Sequence, residues 1–337
     1  MSEGAPEFDL DPSYLAGLLD TVGRVRFALS EQSDGTYTVR PMLRIKPYDS
    51  EMREAVVGGF LESRGYQYDL IEKSRGDEFF SLQQRSDLEK LQEYLDGISA
   101  HLVRELEFVN GSFAEEFDFG ILDPQDAYRF LIVRDELRYG WRPRGRYHTR
   151  PEDVVEKYGV APEDVSIPSL PEGELRPDYS VEWIAGVFDG ICRYRPSISK
   201  SPEHAVGFGM YPIARLYRSG VPSVFVDNVR RFFDDYDLTY GDSSSANELN
   251  VVFTGPDSIY GMLEVLFPRL LVLAEASAVL LDDILPRFDD EEERTKQGFY
   301  GLLRDFELVA EASGGPFKHR EYTIEHFAGI WRDELRL

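Results

Sequence analysis

The chain has 337 residues, of which 42 % are hydrophobic, so it is long enough to hold one large or two moderate domains. No run of about 18 consecutive apolar residues occurs, which predicts that no segment spans a membrane. The single cysteine, Cys192, excludes an intrachain disulfide and a cysteine-based zinc cluster. The first ten residues lack the basic and then apolar pattern of a signal peptide, and we therefore expect a cytoplasmic protein.

The charge balance is strongly acidic: 62 Asp and Glu residues stand against 37 Lys and Arg residues, for a formal net charge of −25. Taken over the whole chain, this charge argues against nucleic acid as a partner, because neutralising phosphates requires positive charge. The alternative is a protein from a salt-accumulating halophile, and the scarcity of lysine relative to arginine favours a haloarchaeal source. In that case the position of the basic residues matters more than their number.

In the first half, helix and strand patterns alternate regularly. A helix begins at Asp11-Pro12, an N-cap acid followed by proline at the first helical position, and ends near Gly23. The elements predicted after it are strands at 24–29 and 36–46 joined by a Ser33-Asp34-Gly35 turn, a helix at 49–64, strands at 66–72 and 78–85, a helix at 86–102 opening with Ser86 and Glu89 at capping-box spacing, and a helical segment at 123–139. Up to residue 102 the order is α-β-β-α-β-β-α.

Six prolines within residues 140–177 predict a linker that contains one short helix at 151–158. The order of the first half then repeats. The predicted elements are a helix capped by Ser180, strands at 193–199 and 206–218, a helix at 223–236, strands at 238–240 and 248–253, a long helical stretch at 257–285 interrupted near Pro268, and a helix at 299–311. Aromatic residues in the tail predict that it packs on the body of the protein.

The helix that opens each half carries nearly the same residues. Residues 14–24 read YLAGLLDTVGR, and residues 183–193 read WIAGVFDGICR. The pairs Ala16-Gly17 and Ala185-Gly186 lie 169 residues apart, and small residues in the middle of an apolar helix let a second backbone approach closely. The sequence therefore predicts two similar halves of one pseudo-symmetric unit, with the two helices packed against each other.

This repeated helix, followed each time by the same order of elements, resembles the LAGLIDADG homing endonuclease superfamily in its single-chain, two-repeat form. The resemblance implies an α+β fold in which two αββαββα repeats pack through the motif helices and their hairpins form a β-saddle for the DNA major groove. It divides the chain into a first repeat (11–139), a Pro-rich linker (140–177), a second repeat (178–312) and a C-terminal extension (313–337). The implied packing residues between the repeats are Ala16, Gly17, Ala185 and Gly186.

The motifs are degenerate at the position that carries the chemistry. In this superfamily the eighth motif residue of each repeat is an acid that binds the divalent metals used for phosphodiester cleavage, but here these positions are Val22 and Ile191. Neither side chain can bind Mg²⁺, which requires oxygen ligands, and without a metal the activated water is lost. The sixth-position acids, Asp20 and Asp189, are present, and we expect them to be structural, because Asp is favoured at helix ends.

Positive charge is concentrated in the two segments that the resemblance assigns to the first hairpin of each repeat. Residues 24–46 carry five basic and two acidic residues, and residues 193–218 carry five basic and one acidic residue. Residues of equal parity share one strand face and can reach phosphates and guanine edges. The candidate DNA-binding residues are Arg24, Arg26, Arg40, Arg44, Lys46, Arg193, Arg195, Lys200, Arg215 and Arg218. The simpler interpretation is a solvated sheet face paired with surface acids.

The leading hypothesis is a monomeric protein that binds double-stranded DNA and no longer cleaves it, with no cofactor. The second is an active endonuclease with a displaced Mg²⁺ site formed by Asp20 and Asp189. The third is an RNA-binding, maturase-like protein, and the fourth is a scaffold whose saddle binds another protein. A duplex-cleavage assay with Mg²⁺ or Mn²⁺ and a salt-titrated comparison of DNA with RNA distinguish these hypotheses.

Overall fold

The computed structural model describes residues 10–47, 51–72, 78–116, 120–137, 149–167, 180–313 and 321–335. The helices are α1 (Pro12–Val22), α2 (Glu51–Ser63), α3 (Arg85–Leu95), α4 (Leu102–Asn110), α5 (Ser112–Glu116), α6 (Pro124–Leu137), α7 (Pro151–Tyr158), α8 (Val181–Ile191), α9 (Ser223–Asp235), α10 (Pro256–Leu266), α11 (Ala274–Val279), α12 (Leu285–Asp289), α13 (Lys296–Ala312) and α14 (Ile324–Ile330). The strands are β1 (Gly23–Glu31), β2 (Tyr37–Ile45), β3 (Asp69–Glu72), β4 (Glu78–Leu82), β5 (Ile121–Leu122), β6 (Cys192–Lys200), β7 (Phe208–Ser219), β8 (Gly241–Asp242) and β9 (Glu248–Thr254). None of these helices is long and apolar enough to cross a membrane.

Two antiparallel sheets of the same topology form the centre of the molecule. One has the strand order β1-β2-β4-β3, with β5 added to β2, and the other has the order β6-β7-β9-β8. The predicted order αββαββα is therefore confirmed in both halves. Cys192 pairs with Leu216 as Gly23 pairs with Ile45, which gives a constant offset of 169 residues for the first strand of each repeat and 171 for the second.

The first hairpin turns where the Asp-Gly pair predicts it. The Thr36 backbone N–H donates to Asp34 Oδ1 over 3.0 Å, and Gly35 has a φ of 86°, which favours glycine. The loops between paired strands comprise residues 32–36 in the first hairpin and 201–207 in the second. This difference in loop length accounts for the two-residue change of offset between the repeats.

The two motif helices begin as predicted. Asp11 Oδ1 accepts hydrogen bonds from the N–H groups of Ser13 and Tyr14 at 2.8 and 3.2 Å, ahead of Pro12 in the first turn of α1. Ser180 Oγ accepts from the Trp183 N–H at 3.1 Å, which caps α8. Each helix then runs directly into the first strand of its hairpin.

The single helix predicted at 86–102 is wrong. The segment forms α3 and α4, separated by residues 96–101, and Gly97 in the break has a φ of 72°. The predicted capping box is also absent: the N-cap is Gln84, which makes no side-chain cap, and Glu89 accepts instead from Arg85 Nε at 2.6 Å. An apolar stripe continued across the break because both helices pack on the same core.

In the second half, one prediction is wrong and one is confirmed. The strand expected at 238–240 forms only at Gly241–Asp242, because the preceding Leu238 and Tyr240 pack against the core instead of extending the sheet. The stretch at 257–285 is interrupted near Pro268, as predicted, by a 3₁₀ turn at Phe267–Arg269 and a bend at residues 271–273 before α11. A π-helical turn at Leu280–Ile284 then leads into α12.

The far end of each hairpin is supported by a helix outside the αββαββα repeats. In the segment predicted as a linker, Tyr158 of α7 lies 6.1 Å from the Tyr37 ring, and Lys157 forms an ion pair with Glu31 at 2.5 Å. At the second hairpin, the Phe208 ring lies 5.0 Å from the Phe327 ring of α14. The aromatic tail therefore packs on the body, as predicted.

Candidate nucleic-acid interface

The two motif helices touch backbone to backbone at their glycines. A Cβ atom placed on Gly17 would lie 2.0 Å from the carbonyl oxygen of Trp183, and one placed on Gly186 would lie 1.9 Å from the carbonyl oxygen of Tyr14. These distances are shorter than any real carbon–oxygen contact, so only glycine fits. The neighbouring small residues, Ala16 and Ala185, are fully buried.

Asp20, the sixth motif residue of the first repeat, is fully buried at the start of α4. Its carboxylate accepts hydrogen bonds from Ser99 Oγ at 2.5 Å and from the backbone N–H groups of residues 100–102 at 2.8, 3.1 and 2.8 Å. A further donor comes from the other repeat, because Trp183 Nε1 lies 3.1 Å from Asp20 Oδ2. The carboxylate therefore caps α4 and links the two repeats.

Asp189 has the same role in the second repeat. Its carboxylate accepts from the N–H groups of residues 271–273 at 2.7, 2.9 and 2.9 Å, immediately before α11. The Tyr14 hydroxyl, from the first repeat, donates to Asp189 Oδ2 at 2.6 Å. Tyr14 and Trp183 occupy equivalent places at the start of the two motif helices, so the exchange of donors between the repeats is reciprocal.

These contacts leave the sixth-position acids little capacity to bind a metal. Burial raises the pKa of both the Asp20 and Asp189 carboxyls, and the surrounding hydrogen-bond donors lower each pKa in part. Each carboxylate oxygen already accepts at least one strong hydrogen bond. Among the residues that the structure describes, no group of three or more His, Cys, Asp or Glu side chains is arranged to hold a metal ion.

The eighth motif positions carry alkyl groups at the ends of both helices. Val22 is 2 % exposed and Ile191 is 6 % exposed, and both belong to the hydrophobic core. Hydrocarbon side chains offer no ligand to a hard divalent cation. The residues present therefore do not fit the metal that the LAGLIDADG resemblance implies.

Arginines approach the same end of the motif helices from both repeats. Arg24 Nη2 donates to the Ser219 carbonyl at 2.6 Å, and Arg218 Nη2 donates to the Gly23 carbonyl at 3.4 Å, so the two side chains cross the interface in opposite directions. A third, fully buried arginine, Arg53, donates to the Asp189 carbonyl at 2.8 Å. Positive charge close to this position disfavours a divalent cation further.

The outward face of each first hairpin carries an arginine pair at an equivalent place. Arg24 lies directly opposite Arg44 in the register of the first sheet, and Arg193 lies directly opposite Arg215 in the second. Like charges directly opposite each other on adjacent strands destabilise a sheet. Two such pairs at symmetric positions therefore carry an energetic cost, which an anionic partner would relieve.

Different neighbours hold the equivalent arginines in the two repeats. The Arg44 guanidinium lies 4.7 Å from the centre of the Phe79 ring. Its counterpart Arg215 donates through Nε to Asn250 Oδ1 at 2.9 Å and lies 5.3 Å from the Tyr217 ring. Asn250 occupies the position equivalent to Phe79, by the 171-residue offset of the paired strands.

The remaining candidate residues fall into two groups. Arg218 lies on the buried face of β7, opposite in parity to Arg215, and is 8 % exposed, so it does not share the outward face. The other side chains are exposed or partly buried, and all but Lys200 have the outward parity of their strand; Lys200 has the parity of the buried face and is exposed at the end of β6. They are Arg26, Arg40, Lys46, Arg195 and Lys200.

Sequence reasoning missed three kinds of residue at this interface. Tyr211 and Tyr217 share the outward parity of Arg215 and are about half exposed, at 49 % and 47 %, and strand parity alone could have identified them. The aromatic–carboxylate links of Tyr14 and Trp183 had no sequence signal beyond the aromatic residue at equivalent positions. The partners of Asp20 and Asp189 lie about 80 residues further along the chain and could not be read from local pattern.

No protein-family model matches the chain, and a comparison with curated proteins found no match either. The fold is similar to the LAGLIDADG meganuclease I-AabMI bound to uncleaved DNA, with a TM-score of 0.64 and 13 % identity over 88 % of this chain and 98 % of that one. I-SmaMI bound to uncleavable DNA gives a TM-score of 0.62 and 12 % identity over 88 % and 97 % of the two chains. The I-LtrWI LAGLIDADG homing endonuclease bound to target DNA gives 0.61 and 12 % over 87 % and 95 %.

These similarities extend over most of both chains in each comparison. The protein therefore has the LAGLIDADG homing endonuclease fold, with the two repeats in a single chain. At 12–13 % identity, the similarity concerns the fold, and the function has to be argued from the side chains of this chain.

Proposed function

We propose that this protein binds double-stranded DNA through the outward faces of its two first hairpins and does not cleave it. The observation that carries the proposal is the two cross-strand arginine pairs, Arg24 opposite Arg44 and Arg193 opposite Arg215, at symmetric places on the two sheets. Arginine reaches both phosphate oxygens and guanine edges. The DNA-bound state of the structures with the same fold supports this partner.

The net charge of −25 does not oppose this proposal. Positive charge is concentrated in residues 24–46 and 193–218, so the acidic residues lie mostly elsewhere in the chain. A protein charged in this way presents its basic segments to a polyanion, while repulsion from the rest of the chain suppresses other orientations. Monomeric state, haloarchaeal source and cytoplasmic location stay predictions.

The absence of cleavage follows in this proposal from the chemistry at the helix ends. Val22 and Ile191 supply no metal ligand, and the carboxylates of Asp20 and Asp189 are committed as helix caps. The alternative, an endonuclease that uses these two aspartates, requires both caps to open at once. Each opening would leave buried backbone N–H groups without acceptors, at about 1–3 kcal/mol per group.

The test begins with selection of bound sequences from a random duplex library in high potassium chloride. The selected duplex is then titrated with protein by fluorescence anisotropy at several salt concentrations, with structured RNA as the comparison, and is incubated with Mg²⁺ or Mn²⁺. We expect salt-dependent binding to a preferred duplex and no cutting.

Specific double-strand cuts, absent with EDTA, would contradict the proposed loss of cleavage. Tighter binding of structured RNA than of any duplex would favour the maturase-like hypothesis. Failure to bind either nucleic acid at low salt would favour a protein-binding saddle.

A further inference from the structure

A groove of about 750 Å³ opens on the outward face of the second repeat beside the end of its motif helix. Ile191, the eighth motif residue, forms part of its wall, and Arg193, Arg195 and Arg215 line it together with Tyr217. Glu248 also lines the groove, but its carboxylate accepts a hydrogen bond from the Tyr217 hydroxyl at 3.1 Å. Arginines therefore outnumber carboxylates in the groove.

The Arg215 guanidinium makes a protein hydrogen bond through its Nε atom. Its Nε atom donates to Asn250, and its plane lies near the Tyr217 ring. Its two η nitrogens donate to no protein acceptor in the described part of the chain, and neither does the guanidinium of Arg195. Several N–H donors are therefore positioned and available for a ligand in the groove.

Proximity of these cations has an electrostatic consequence. Partial desolvation in the groove lowers the pKa of Arg195, and the neighbouring Arg215 lowers it further. Both effects penalise the charged form, so an anion in the groove would stabilise it. A planar guanidinium binds the oxygens of a phosphate in a bidentate manner, which suits a phosphodiester more closely than a simple counter-ion.

The first repeat has a different set of residues at the equivalent places. Lys46 stands at the position of Tyr217 and Phe79 at that of Asn250, by the constant offset along the paired strands. The Arg44 guanidinium is accordingly held over an aromatic ring and not by a hydrogen-bonding amide. The groove chemistry is thus a property of the second repeat and not of the pseudo-symmetric fold.

We propose that Arg195 and Arg215 form a phosphate site that holds one backbone phosphate of the bound duplex without a metal ion. The assignment rests on the proposed function, because the ligand is a phosphodiester of the DNA. Ile191 occupies the motif position where the resemblance implies a metal-binding acid. The proposed site puts the positive charge of two guanidinium groups in the groove that Ile191 lines. Binding of duplex is therefore independent of divalent cations.

The experiment is a phosphate-neutralisation scan of the selected duplex. Each backbone linkage in turn is replaced by an uncharged methylphosphonate, and affinity is measured by anisotropy in EDTA and again in Mg²⁺. We expect neutral linkages at one or two adjacent positions to weaken wild-type binding about tenfold, equally in both solutions.

The matched variants are Arg215→Ala, its symmetry mate Arg44→Ala, and Arg231→Ala on the exposed surface of α9. Arg215→Ala should weaken binding of the unmodified duplex about tenfold, reduce the salt slope by roughly 1, and abolish sensitivity to the neutral linkage that affects the wild type. Arg44→Ala should keep that sensitivity, and Arg231→Ala should bind like the wild type. Thermal melts confirm folding, and Arg195→Ala provides a second, exposed substitution should Arg215→Ala melt early.

Two results would overturn the assignment: unchanged sensitivity to the neutral linkage in both Arg215→Ala and Arg195→Ala, or duplex binding that requires Mg²⁺. In either case binding of duplex itself remains demonstrated and the proposed function stands. Failure of the wild type to bind any duplex would overturn the proposed function as well, so the two failures are distinguishable.

Discussion

The two repeats agree where they pack against each other, whereas their outward faces share an arginine pair and differ at neighbouring positions. Glycine, aspartate and an N-terminal aromatic residue occupy equivalent places in α1 and α8, and their contacts across the interface are reciprocal. On the outward faces, by contrast, Tyr211 and Tyr217 stand where the first repeat has Arg40 and Lys46. Packing requires both repeats to have the same interface, whereas under the proposed function an asymmetric DNA site would require two different surfaces.

The largest expected effect comes from breaking the shared interface. Gly17→Ala places a methyl group 2.0 Å from the Trp183 carbonyl oxygen, and relief of this clash requires the two helices to separate. We expect a loss of more than about 4 kcal/mol in the free energy of unfolding, from steric overlap and the void that separation opens. Urea denaturation monitored by circular dichroism measures it.

Gly261→Ala is the matched control for this substitution. Gly261 lies inside α10, and a Cβ atom there would meet no other atom within 4 Å. Alanine is favoured over glycine in a helix by about 0.5–1 kcal/mol, so this variant should be slightly more stable than the wild type. Equal stability of the two variants would show that the helices are not in backbone contact.

The second largest effect is expected from Asp20→Asn, which tests whether the sixth-position aspartate caps a helix or binds a metal. Asp20→Asn replaces an acceptor oxygen by an NH₂ donor among the N–H groups of residues 100–102. We expect a loss of about 2–4 kcal/mol, because at least one buried backbone donor is left without an acceptor. The measurement is urea denaturation in EDTA, and the same substitution at Asp189 should have a similar effect. Unchanged stability together with loss of a metal-dependent cleavage would contradict the capping role.

A smaller effect is expected from removing one of the reciprocal links. Tyr14→Phe keeps the ring but deletes the hydroxyl that donates to Asp189 over 2.6 Å. A hydrogen bond to a charged group contributes about 1.5–3 kcal/mol, and three backbone donors to Asp189 remain. We therefore expect destabilisation near the lower end of that range by urea denaturation. A loss as large as that of Asp189→Asn would show instead that the hydroxyl is essential to the cap.

The smallest effect is expected from a substitution that makes the outward face of the second hairpin more like that of the first. Tyr217→Lys gives the second hairpin the residue found at the equivalent place of the first. The added lysine brings one more cation to the outward face, so this change should add about one counterion to the salt slope of duplex binding and reduce discrimination between duplexes. Anisotropy titrations of the selected and a scrambled duplex measure both. An unchanged slope would argue that this position does not face DNA.

Local patterns were sufficient to identify most of the architecture. The Asp-Gly turn, the capped starts of α1 and α8 and the order αββαββα depend on short-range preferences, and the structure confirms each of them. The predicted helix at 86–102 was wrong, because the residue that divides it is Asp20, far away in sequence. A distant carboxylate that caps a helix leaves no periodic signal in the segment that it caps.

The sequence by itself determined that the chain is a duplicated unit, that glycines meet between its halves and that no acid stands at positions 22 and 191. Each of these follows from the identity of residues and their spacing. The tertiary structure alone decided which distant backbone N–H groups Asp20 and Asp189 cap, and that Arg195 and Arg215 line one groove. These outcomes depend on contacts between segments distant in sequence, because burial and hydrogen-bond partners are fixed only when the two repeats pack.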